Sequence, residues 1–444
     1  MTQRKHPKSI ENSSRVKKYL PGGVHYNTHS PKTPIERVIP FHKGIGSRVW
    51  DPDGNEYLDL FCKFGALIVG HQNLRYNEAL KDCIDRVLAV DQCHLEHEVC
   101  ERIVHLIPCA EMVRFGLSGT ESIQNALRLA RAYSGKQKFI RFIGHYHGNA
   151  DNIMGGAVKD PRYPAPFPGV GDYDTEGRDP EILQRQSFLI PWNDSRVLEE
   201  LLSNCSQEIA AVIMEPIAIN GGGVLPEPGY LEKARSLCSR YGVVLIFDEV
   251  ITGFRVGLNG AQGLFGVVPD LAVFGKALAG GAVPVSAIVG KKEIMNLYAQ
   301  QRVVHMGTFN GYPLGLAAIR ATLQLLAEDS GCFERMGSLN LRIAECFVEA
   351  AKNASLPLVI QGVPNALLFH VREKPVEDMV NDPPDLERNA LLYLYARQYG
   401  ILFSYISRMY PNLLLAEDDV AFFRERIGEA LIAAKKALQL LGRG

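Results

Sequence analysis

The sequence predicts an α/β protein built around a mostly parallel sheet that is covered by helices. From about residue 110, short continuous apolar runs alternate with amphipathic helical stretches, and such runs are typical of parallel strands buried on both faces. The chain also has 444 residues, more than a single hydrophobic core usually organises. A second, smaller domain of mixed α and β structure is therefore expected.

The order of the patterns along the chain predicts the domain limits. A hairpin signal comes first, because an Asp-Pro-Asp-Gly turn at Asp51 separates two short strand-like runs. A helical stretch follows from about Tyr76 to Ile107. After about residue 315 the chain becomes helix-rich, and it closes with an amphipathic helix from Asp418. We expect an N-terminal segment and part of the small domain over 1–70, a large domain over 71–315 and a C-terminal small domain over 316–444.

Composition and charge argue against several classes of partner. Lys plus Arg number 48 and Asp plus Glu number 49, for a net charge of -1, so nothing electrostatic favours a nucleic acid or a membrane surface. The N-terminus lacks the apolar core of a signal peptide, and no apolar run reaches the ~18 residues of a membrane span. The 9 Cys are scattered and odd in number, which fits reduced thiols. A cytoplasmic protein is expected.

One cluster of metal-binding residue types lies in DQCHLEHEVC, and it comprises Cys93, His94, His97 and Cys100. Two sulfurs and two imidazoles can hold zinc. Their spacing, however, fits a short helix on which the four side chains point from more than one face, and no second ligand pair follows. We therefore expect no metal site.

Polar residues follow five of the apolar runs, at the point where each predicted strand ends. Ligands of open parallel sheets bind outside the carboxyl ends of the strands, so these residues are expected to meet at one edge. The runs lead into Ser118, Gly119 and Thr120, into the loop that holds Tyr146 and His147, into Glu215, into Asp248 and Glu249, and into Lys276.

Each of these signals has a simpler reading when it is taken alone. Ser118 could be an ordinary helix N-cap, although a helix N-terminus also favours an anion. Asp248 could belong to a structural ion pair, although a buried carboxylate also suits a protonated pyridine nitrogen. Lys276 could be a surface lysine, although a desolvated lysine can form a Schiff base. Tyr146 and His147 could be packing residues, although an aromatic ring could stack on a flat cofactor.

The combination resembles a known family. The stretch FDEVITGFRVGLNGAQGLFGVVPDLAVFGKALAGGAVP closely resembles the lysine region of the class III aminotransferases, and it is most similar to the glutamate-1-semialdehyde aminomutase group. The likeness extends in the family's order from about Pro21 to the end, through RVWDPDGNEYLDL, LSGTESIQNALRLARAY, YHGNAD, EPIAINGGGVLPEPGYL and HMGTFNGYPLGLAAI. It implies the fold type I, aspartate aminotransferase-like architecture of transferases that use pyridoxal 5′-phosphate.

The resemblance also implies roles for individual residues. Lys276 would hold the cofactor as a Schiff base and move protons. Asp248 would pair with the pyridinium nitrogen, Val250 would pack behind the ring, and Tyr146 would stack on its other face.

The remaining cofactor contacts are implied in the same way. The turn from Ser118 to Thr120 would bind the phosphate, and Thr308 would add a contact from the neighbouring subunit of a homodimer with a shared site. Glu215 and Asn220 would face the polar edge of the cofactor. The polar, Pro- and Gly-rich stretch from Asn149 to Pro180 would correspond to a gating loop.

The substrate side departs from the aminomutase pattern. The carboxylate-binding arginine of that group falls on His29 by an ungapped count, although Arg37 could reach the same place. A serine and a tryptophan of the pocket are replaced by Lys63 and Phe64. A glutamate of the C-terminal substrate loop is replaced around Arg408, which could bind a carboxylate or form a surface salt bridge.

These features predict an aminotransferase that takes an amino group from an amino-acid donor to a ketone or aldehyde acceptor through a pyridoxamine intermediate. The alternative is an intramolecular aminomutase of the glutamate-1-semialdehyde type, and a racemase or decarboxylase is more distant. A nucleotide-binding α/β protein that uses the Ser-Gly-Thr turn for another phosphate is the alternative from a different class.

Overall fold

The computed structural model describes residues 5–25, 35, 38–154, 182, 185–379 and 381–440. The chain forms two compact units. The smaller unit comprises Met1–Asn77, Gly331–Pro375 and Pro384–Gly444, and the larger comprises Glu78–Ser330 and Val376–Pro383. The domain limits expected after residues 70 and 315 stay predictions.

The smaller unit contains two sheets. The first has the strands β1 (Lys43–Ile45), β2 (Arg48–Trp50), β3 (Glu56–Asp59) and β13 (Ile401–Leu402) in the order β1-β2-β3-β13. The second has β11 (Val359–Val363), β12 (Ala366–His370) and β14 (Arg408–Met409) in that order. Its longer helices are Pro7–Val16, Cys332–Asn353, Leu386–Gln398 and Glu417–Leu440.

The predicted hairpin is confirmed in this unit. Strands β2 and β3 are antiparallel, with Trp50 opposite Glu56. Oδ1 of Asp51 accepts hydrogen bonds from the main-chain N–H groups of Asp53 and Asn55, at 3.0 and 2.8 Å. The aspartate side chain therefore closes the turn, as such residues commonly do.

A left-handed turn follows β3. Cys62, Lys63 and Phe64 have φ values of 44°, 50° and 58°, and Gly65 follows at 81°. Left-handed backbone costs a non-glycine residue roughly 1–2 kcal/mol, so the turn needs support. Oδ1 of Asp59 supplies part of it by accepting hydrogen bonds from the N–H groups of Phe61 and Cys62, at 3.0 and 2.9 Å.

The larger unit is built on a seven-stranded sheet with the order β4-β10-β9-β8-β7-β5-β6. Strand β10 is antiparallel to both of its neighbours, and the other neighbouring strands are parallel. The prediction of a mostly parallel sheet is confirmed. The strands are β4 (Met112–Gly116), β5 (Lys138–Phe142), β6 (Ser187–Ile190), β7 (Ile209–Met214), β8 (Val244–Glu249), β9 (Leu271–Phe274) and β10 (Ser286–Gly290).

Strand β10 was not identified in the sequence. It follows β9 after residues 275–285, a connection that contains only the short 3₁₀ turn Lys276–Ala279. An antiparallel neighbour can be reached by a short connection, whereas a parallel neighbour needs a crossover, usually through a helix. The short connection therefore accounts for the reversed direction.

Helices cover this sheet, and their apolar faces form its core. Strands β7, β8 and β9 are buried along their whole length, as their continuous apolar runs predict. The helix Gly119–Ser134 packs Ile123 and Leu127 into the same hydrophobic cluster as Ile246 and Val273. Among the described residues, the helices of the unit include Leu95–Leu106, Gly119–Ser134, Ser195–Cys205, Tyr230–Tyr241, Gly260–Phe265, Lys292–Ala299 and Pro313–Glu328.

The helical stretch expected from Tyr76 to Ile107 is two helices, Leu74–Arg86 and Leu95–Leu106. The main-chain N–H of Cys93 donates to Oε1 of Glu96 at 3.3 Å. The side chain of Glu96, in the first turn of the second helix, therefore satisfies the N–H of Cys93, much as the glutamate of a capping box does. This interaction marks the start of the second helix.

Residues 376–383 return from the smaller unit to the larger one. Val376 and Met379 join a small hydrophobic cluster with Ile143, Ala218 and Val224. The core of the larger unit is thus completed by a segment that follows it by more than forty residues in the sequence. Among the described residues, no helix is both long and apolar enough to span a membrane.

Candidate active site

The polar residues predicted at the strand ends lie at one edge of the larger unit's sheet. Strands β4, β5, β7, β8 and β9 run in the same direction, so their carboxyl ends meet there. Glu215 directly follows β7, Asp248 is the second-last residue of β8, and Lys276 follows β9 after Gly275. This edge is the natural ligand site of such a sheet.

Asp248 is a buried carboxylate with two donors. Its Oδ1 accepts a hydrogen bond from the main-chain N–H of Val250 at 3.0 Å. Its Oδ2 lies 2.7 Å from Nδ1 of His147, and the two side chains are 5% and 2% exposed. The sequence left His147 as a possible packing residue, but the structure makes it the partner of Asp248.

Glu249 points away from this pair. It is fully buried, and it accepts hydrogen bonds from the hydroxyl of Thr252 and from the main chain and side chain of Gln262. Successive residues of a strand face opposite sides of the sheet. The expectation that both acids serve the sheet edge is therefore wrong for Glu249, which holds the loop after β8.

Glu215 organises the loop after β5. Its Oε1 accepts hydrogen bonds from the main-chain N–H of Tyr146 at 2.8 Å and from Nδ2 of Asn220 at 2.7 Å, and its Oε2 accepts from the N–H of Asn220 at 3.1 Å. Burial raises the pKa of Glu215, and the charge of Asp248 acts in the same direction, while these hydrogen bonds oppose it. Tyr146 and Asn220, both predicted for the site, are thus joined by one carboxylate.

His145 also belongs to this network, although it is not among the site residues that the sequence predicts. Its Nδ1 accepts a hydrogen bond from the N–H of Glu215 at 3.0 Å, and its ring lies 4.6 Å from the ring of Trp192. Burial lowers the pKa of His145 well below its usual range, so the ring is neutral. Its position next to Tyr146 in a glycine-flanked loop is the only sequence signal for it.

The Ser-Gly-Thr turn begins the helix Gly119–Ser134. The hydroxyl of Ser118 accepts a hydrogen bond from the N–H of Glu121 at 3.2 Å, and Oε2 of Glu121 accepts from the N–H of Leu117 at 3.0 Å. This is a capping box. The N-cap interpretation is correct, and it leaves the first main-chain N–H groups and the positive end of the helix dipole facing the sheet edge.

Val250 connects this turn to the lysine. A Cβ atom on Gly119 would lie 3.1 Å from Cγ2 of Val250, and a Cβ on Gly275 would lie 3.4 Å from its Cγ1. The valine therefore packs between the helix turn and the residue before Lys276. Lys276 itself is half-buried and has a φ of 45°, a strained conformation of the kind that clusters at functional sites.

The loop after β5 is also fixed to the Ser-Gly-Thr turn. The hydroxyl of Thr120 donates to Oδ1 of Asn149 at 3.1 Å. Gly148 has a φ of 100°, and a Cβ on it would lie 2.5 Å from Oγ1 of Thr120. The loop thus contacts the starts or ends of three other elements, at Thr120, Glu215 and Asp248.

Other predicted residues lie elsewhere. Thr308 is exposed in the larger unit. Lys63 and Phe64 form part of the left-handed turn of the smaller unit, and Arg408 is buried in β14 at 3% exposure. Burial excludes the surface salt bridge considered for Arg408. His29, Arg37 and residues 155–180 of the expected gating loop lie outside the described residues.

The candidate zinc cluster does not converge in the described part of the chain. There, the one group of three or more His, Cys, Asp or Glu residues whose ligand atoms lie within 4.8 Å of one another is His6, Asp51 and Asp53. Its atoms are engaged in hydrogen bonds that anchor the helix Pro7–Val16 to the hairpin turn. Asp53, for example, accepts from Lys8 and Ser9.

The sheet edge can bind a flat molecule that carries charges at both ends. A buried carboxylate suits a cation, a helix N-terminus suits an anion such as phosphate, and a half-buried lysine offers a nucleophilic amine. Hydrogen bonds to His147 and Val250 hold the carboxylate of Asp248, and the N–H of Glu121 holds the hydroxyl of Ser118.

Comparison with known proteins identifies the relatives of this arrangement. A family model described as aminotransferase class-III matches residues 30–431. The glutamate-1-semialdehyde 2,1-aminomutase 2 of Brevibacillus brevis is 35% identical over 437 residues, 97% of this chain and 98% of the relative. The glutamate-1-semialdehyde 2,1-aminomutase of Desulforudis audaxviator is 39% identical over 380 residues, 84% of this chain and 85% of the relative.

Solved structures show the same fold. An omega-transaminase from Sphaerobacter thermophilus matches with a TM-score of 0.86 and 28% identity over 96% of this chain and 98% of that chain. A glutamate-1-semialdehyde aminomutase variant from Pseudomonas aeruginosa in complex with PMP matches with a TM-score of 0.83 over 96% and 94% of the two chains, and at 22% identity this likeness concerns the fold alone. The expected fold type I architecture is confirmed.

Proposed function

This chain belongs to the class III aminotransferase family of enzymes that use pyridoxal 5′-phosphate, and we propose that it moves an amino group from an amino-acid donor to a ketone or aldehyde acceptor. The observation that carries the proposal is the convergence of Lys276, Asp248 and the Ser-Gly-Thr turn at one sheet edge. When bound, the cofactor supplies an electron sink for breaking bonds at the amine-bearing carbon. The protein supplies binding, orientation and proton transfer.

The residues at the edge fit this cofactor. The buried carboxylate of Asp248 is held by Val250 and His147 and would bind the protonated ring nitrogen. The N-terminus of the helix Gly119–Ser134 would bind the phosphate with main-chain N–H groups. Gly119 lacks a side chain, and a Cβ there would already touch Val250, so a larger residue would crowd the place that the ring and phosphate need.

In the proposed mechanism, each residue acts at a defined place. The amine of Lys276 would hold the cofactor covalently and then accept and return a proton at the substrate carbon. Val250 and Tyr146 would enclose the ring from its two faces. Glu215 and Asn220 would face its polar edge, where the carboxylate already fixes the amide.

We propose a homodimer as the assembly, with Thr308 contributing to the partner's phosphate site. Thr308 lies on an exposed stretch with the apolar residues Val304, Met306 and Phe309, which are 59%, 86% and 57% exposed. Exposed apolar clusters of this kind are typical of protein–protein contacts. This support is independent of the family resemblance.

The alternative function is an intramolecular aminomutase, and the identity to two aminomutases favours it. The substrate-side residues His29, Lys63, Phe64 and Arg408 depart from that group's pattern and favour intermolecular transfer.

Stepwise spectroscopy of the purified holoenzyme tests the proposal. A donor amino acid added alone should bleach the absorbance of the aldehyde form of the cofactor and release one equivalent of keto acid. A carbonyl acceptor should then restore the absorbance. Turnover of glutamate 1-semialdehyde without any donor would instead establish the aminomutase. A protein that binds no pyridoxal phosphate would overturn both functions.

A further inference from the structure

His147 is the least expected member of the sheet-edge network. It lies in the loop after β5 and is 3% exposed, and its Nδ1 lies 2.7 Å from Oδ2 of Asp248. Its Nε2 is enclosed and has no hydrogen-bond partner among the described residues. One nitrogen is therefore committed to Asp248, and the other has no acceptor within the part of the chain that the structure describes.

This asymmetry selects the charge and the tautomer of the ring. An imidazolium would carry an N–H on Nε2, and a buried donor without an acceptor costs about 1–3 kcal/mol. A neutral ring protonated on Nδ1 avoids that cost, because it donates to Asp248 and leaves only a lone pair on Nε2. The ionisable groups that face the ring are Asp248 on β8, Glu215 after β7 and His145 in the same loop, whose ring lies 5.9 Å away.

The geometry of Asp248 explains what a neutral donor achieves. Val250 holds one carboxylate oxygen and His147 holds the other, so the plane of the group is fixed from two elements. An ionised carboxylate can accept about four hydrogen bonds, and sites on both oxygens remain open for a cationic N–H. A cationic histidine would cancel the charge of Asp248, whereas a neutral one orients it and leaves the charge intact.

We propose that His147 is a positioning residue for Asp248, and that as a neutral Nδ1–H donor it keeps the carboxylate oriented and fully charged for the ring nitrogen of the cofactor. This inference rests on the proposed cofactor role of Asp248. The cofactor role of Asp248 by itself does not require that His147, the second partner of the carboxylate, is an uncharged donor; the inference adds this requirement.

The test compares three holoenzyme variants with the wild type. His147→Leu removes the donor, His147→Asn places a neutral amide N–H near the position of Nδ1, and Asp248→Asn removes the charge. The readouts are the pH midpoint of the bound cofactor's visible absorbance and the rate constant of the donor half-reaction. We expect His147→Leu to slow the half-reaction roughly 10- to 100-fold, the effect of losing an outer partner that orients a functional group, and to shift the midpoint. His147→Asn should restore both towards the wild type.

The outcomes separate the two levels of the proposal. If Asp248→Asn is impaired while His147→Leu matches the wild type in both readouts, the role of His147 is overturned and that of Asp248 stands. If Asp248→Asn itself behaves like the wild type, the proposed function of the site fails. Equal impairment of the Leu and Asn variants would mean that a donor is not what the site requires, and this also overturns the inference.

A measurement on unmodified protein covers the case in which His147→Leu does not fold. Long-range ¹H–¹⁵N spectra of histidine-labelled protein distinguish a neutral Nδ1–H ring from an imidazolium, and the spectrum of His147→Asn assigns the signal. A neutral Nδ1–H pattern at neutral pH, with or without cofactor, supports the proposal. An imidazolium pattern, or a proton on Nε2, overturns it.

Discussion

The main-chain N–H of Tyr146 donates to Oε1 of Glu215 across 2.8 Å, which ties the loop after β5 to the end of β7. The same oxygen accepts from the side chain of Asn220. A single buried carboxylate therefore sets the spacing between the main chain at Tyr146 and the amide of Asn220, which come from different parts of the chain.

Glu215→Gln should destabilise the protein and loosen this loop. The glutamine amide has an NH₂ group in place of one carboxylate oxygen, and this group cannot accept a hydrogen bond from the N–H donors around it. At least one hydrogen bond to a charged acceptor is therefore lost, which lowers the free energy of unfolding by about 1.5–3 kcal/mol. Urea unfolding measures the stability, and fluorescence titration measures the cofactor affinity. Glu227→Gln, at an exposed glutamate, is the matched control. Equal unfolding midpoints for the two variants would contradict the expectation.

Gly148→Ala should displace the loop from the Ser-Gly-Thr turn. The added Cβ would lie 2.5 Å from Oγ1 and 2.8 Å from Cα of Thr120, and a main-chain atom cannot yield as a flexible side chain does. Gly135→Ala is the control, because its φ is 72° but nothing lies within 4 Å of a new Cβ.

The control variant should lose about 1–2 kcal/mol from left-handed strain, and Gly148→Ala should lose more and bind the cofactor more weakly. Thermal unfolding and equilibrium dialysis against pyridoxal phosphate measure the two effects. Unchanged cofactor affinity in Gly148→Ala would argue against the loop's role.

Lys276→Ala should abolish covalent attachment of the cofactor and leave the fold intact. The amine is the attacking group of the proposed Schiff base, and the replacement removes it from a half-buried position. Borohydride reduction followed by peptide mapping should mark the Lys276 peptide in the wild type and in Lys292→Ala, which alters an exposed lysine. Covalent label at the same peptide in Lys276→Ala would refute the assignment.

The free energy of unfolding should decrease as the pH is lowered through the range in which His145 titrates. Burial lowers the pKa of His145 in the folded state, so below its ordinary value of ~6.5 the unfolded chain binds more protons than the folded one. Stability is therefore complete above about pH 6.5 and is lost as the pH falls from there towards the lowered value.

His145→Phe removes this titration, so its unfolding free energy should change less steeply over the same range. The variant also loses the acceptor for the N–H of Glu215, which lowers its stability at every pH. The comparison therefore uses the slope of unfolding free energy against pH and not its absolute value. Parallel slopes in urea titrations of the two proteins would show that His145 does not titrate differently on unfolding.

The elements that are decided locally could be predicted from the sequence. Strands β7, β8 and β9 are continuous apolar runs, and burial on both faces follows from that composition. The hairpin at Asp51 follows from its turn residues. Glu215, Asp248 and Lys276 lie at the sheet edge because they follow such runs directly.

Features that depend on distant partners could not be predicted in the same way. The contact of His147 with Asp248 joins residues 101 positions apart, and no local pattern fixes it. The left-handed turn at Lys63 has no glycine until its last residue, and its support comes from Asp59. The orientation of Glu249, by contrast, could have been predicted, because adjacent residues of a strand such as Asp248 and Glu249 face opposite sides of the sheet.

The return of residues 376–383 to the larger unit has a consequence for how the two units can be exchanged. A gene fragment that ends at Ser330 would omit Val376 and Met379, and Met379 lies against the backbone at Gly144, where the loop that carries Tyr146 begins. Such a fragment would expose the apolar surface of Ile143 and Ala218 and should aggregate. Recombination between homologues should therefore tolerate crossovers within a unit's surface loops better than a clean swap of one unit, because the cofactor-side unit is not a contiguous module.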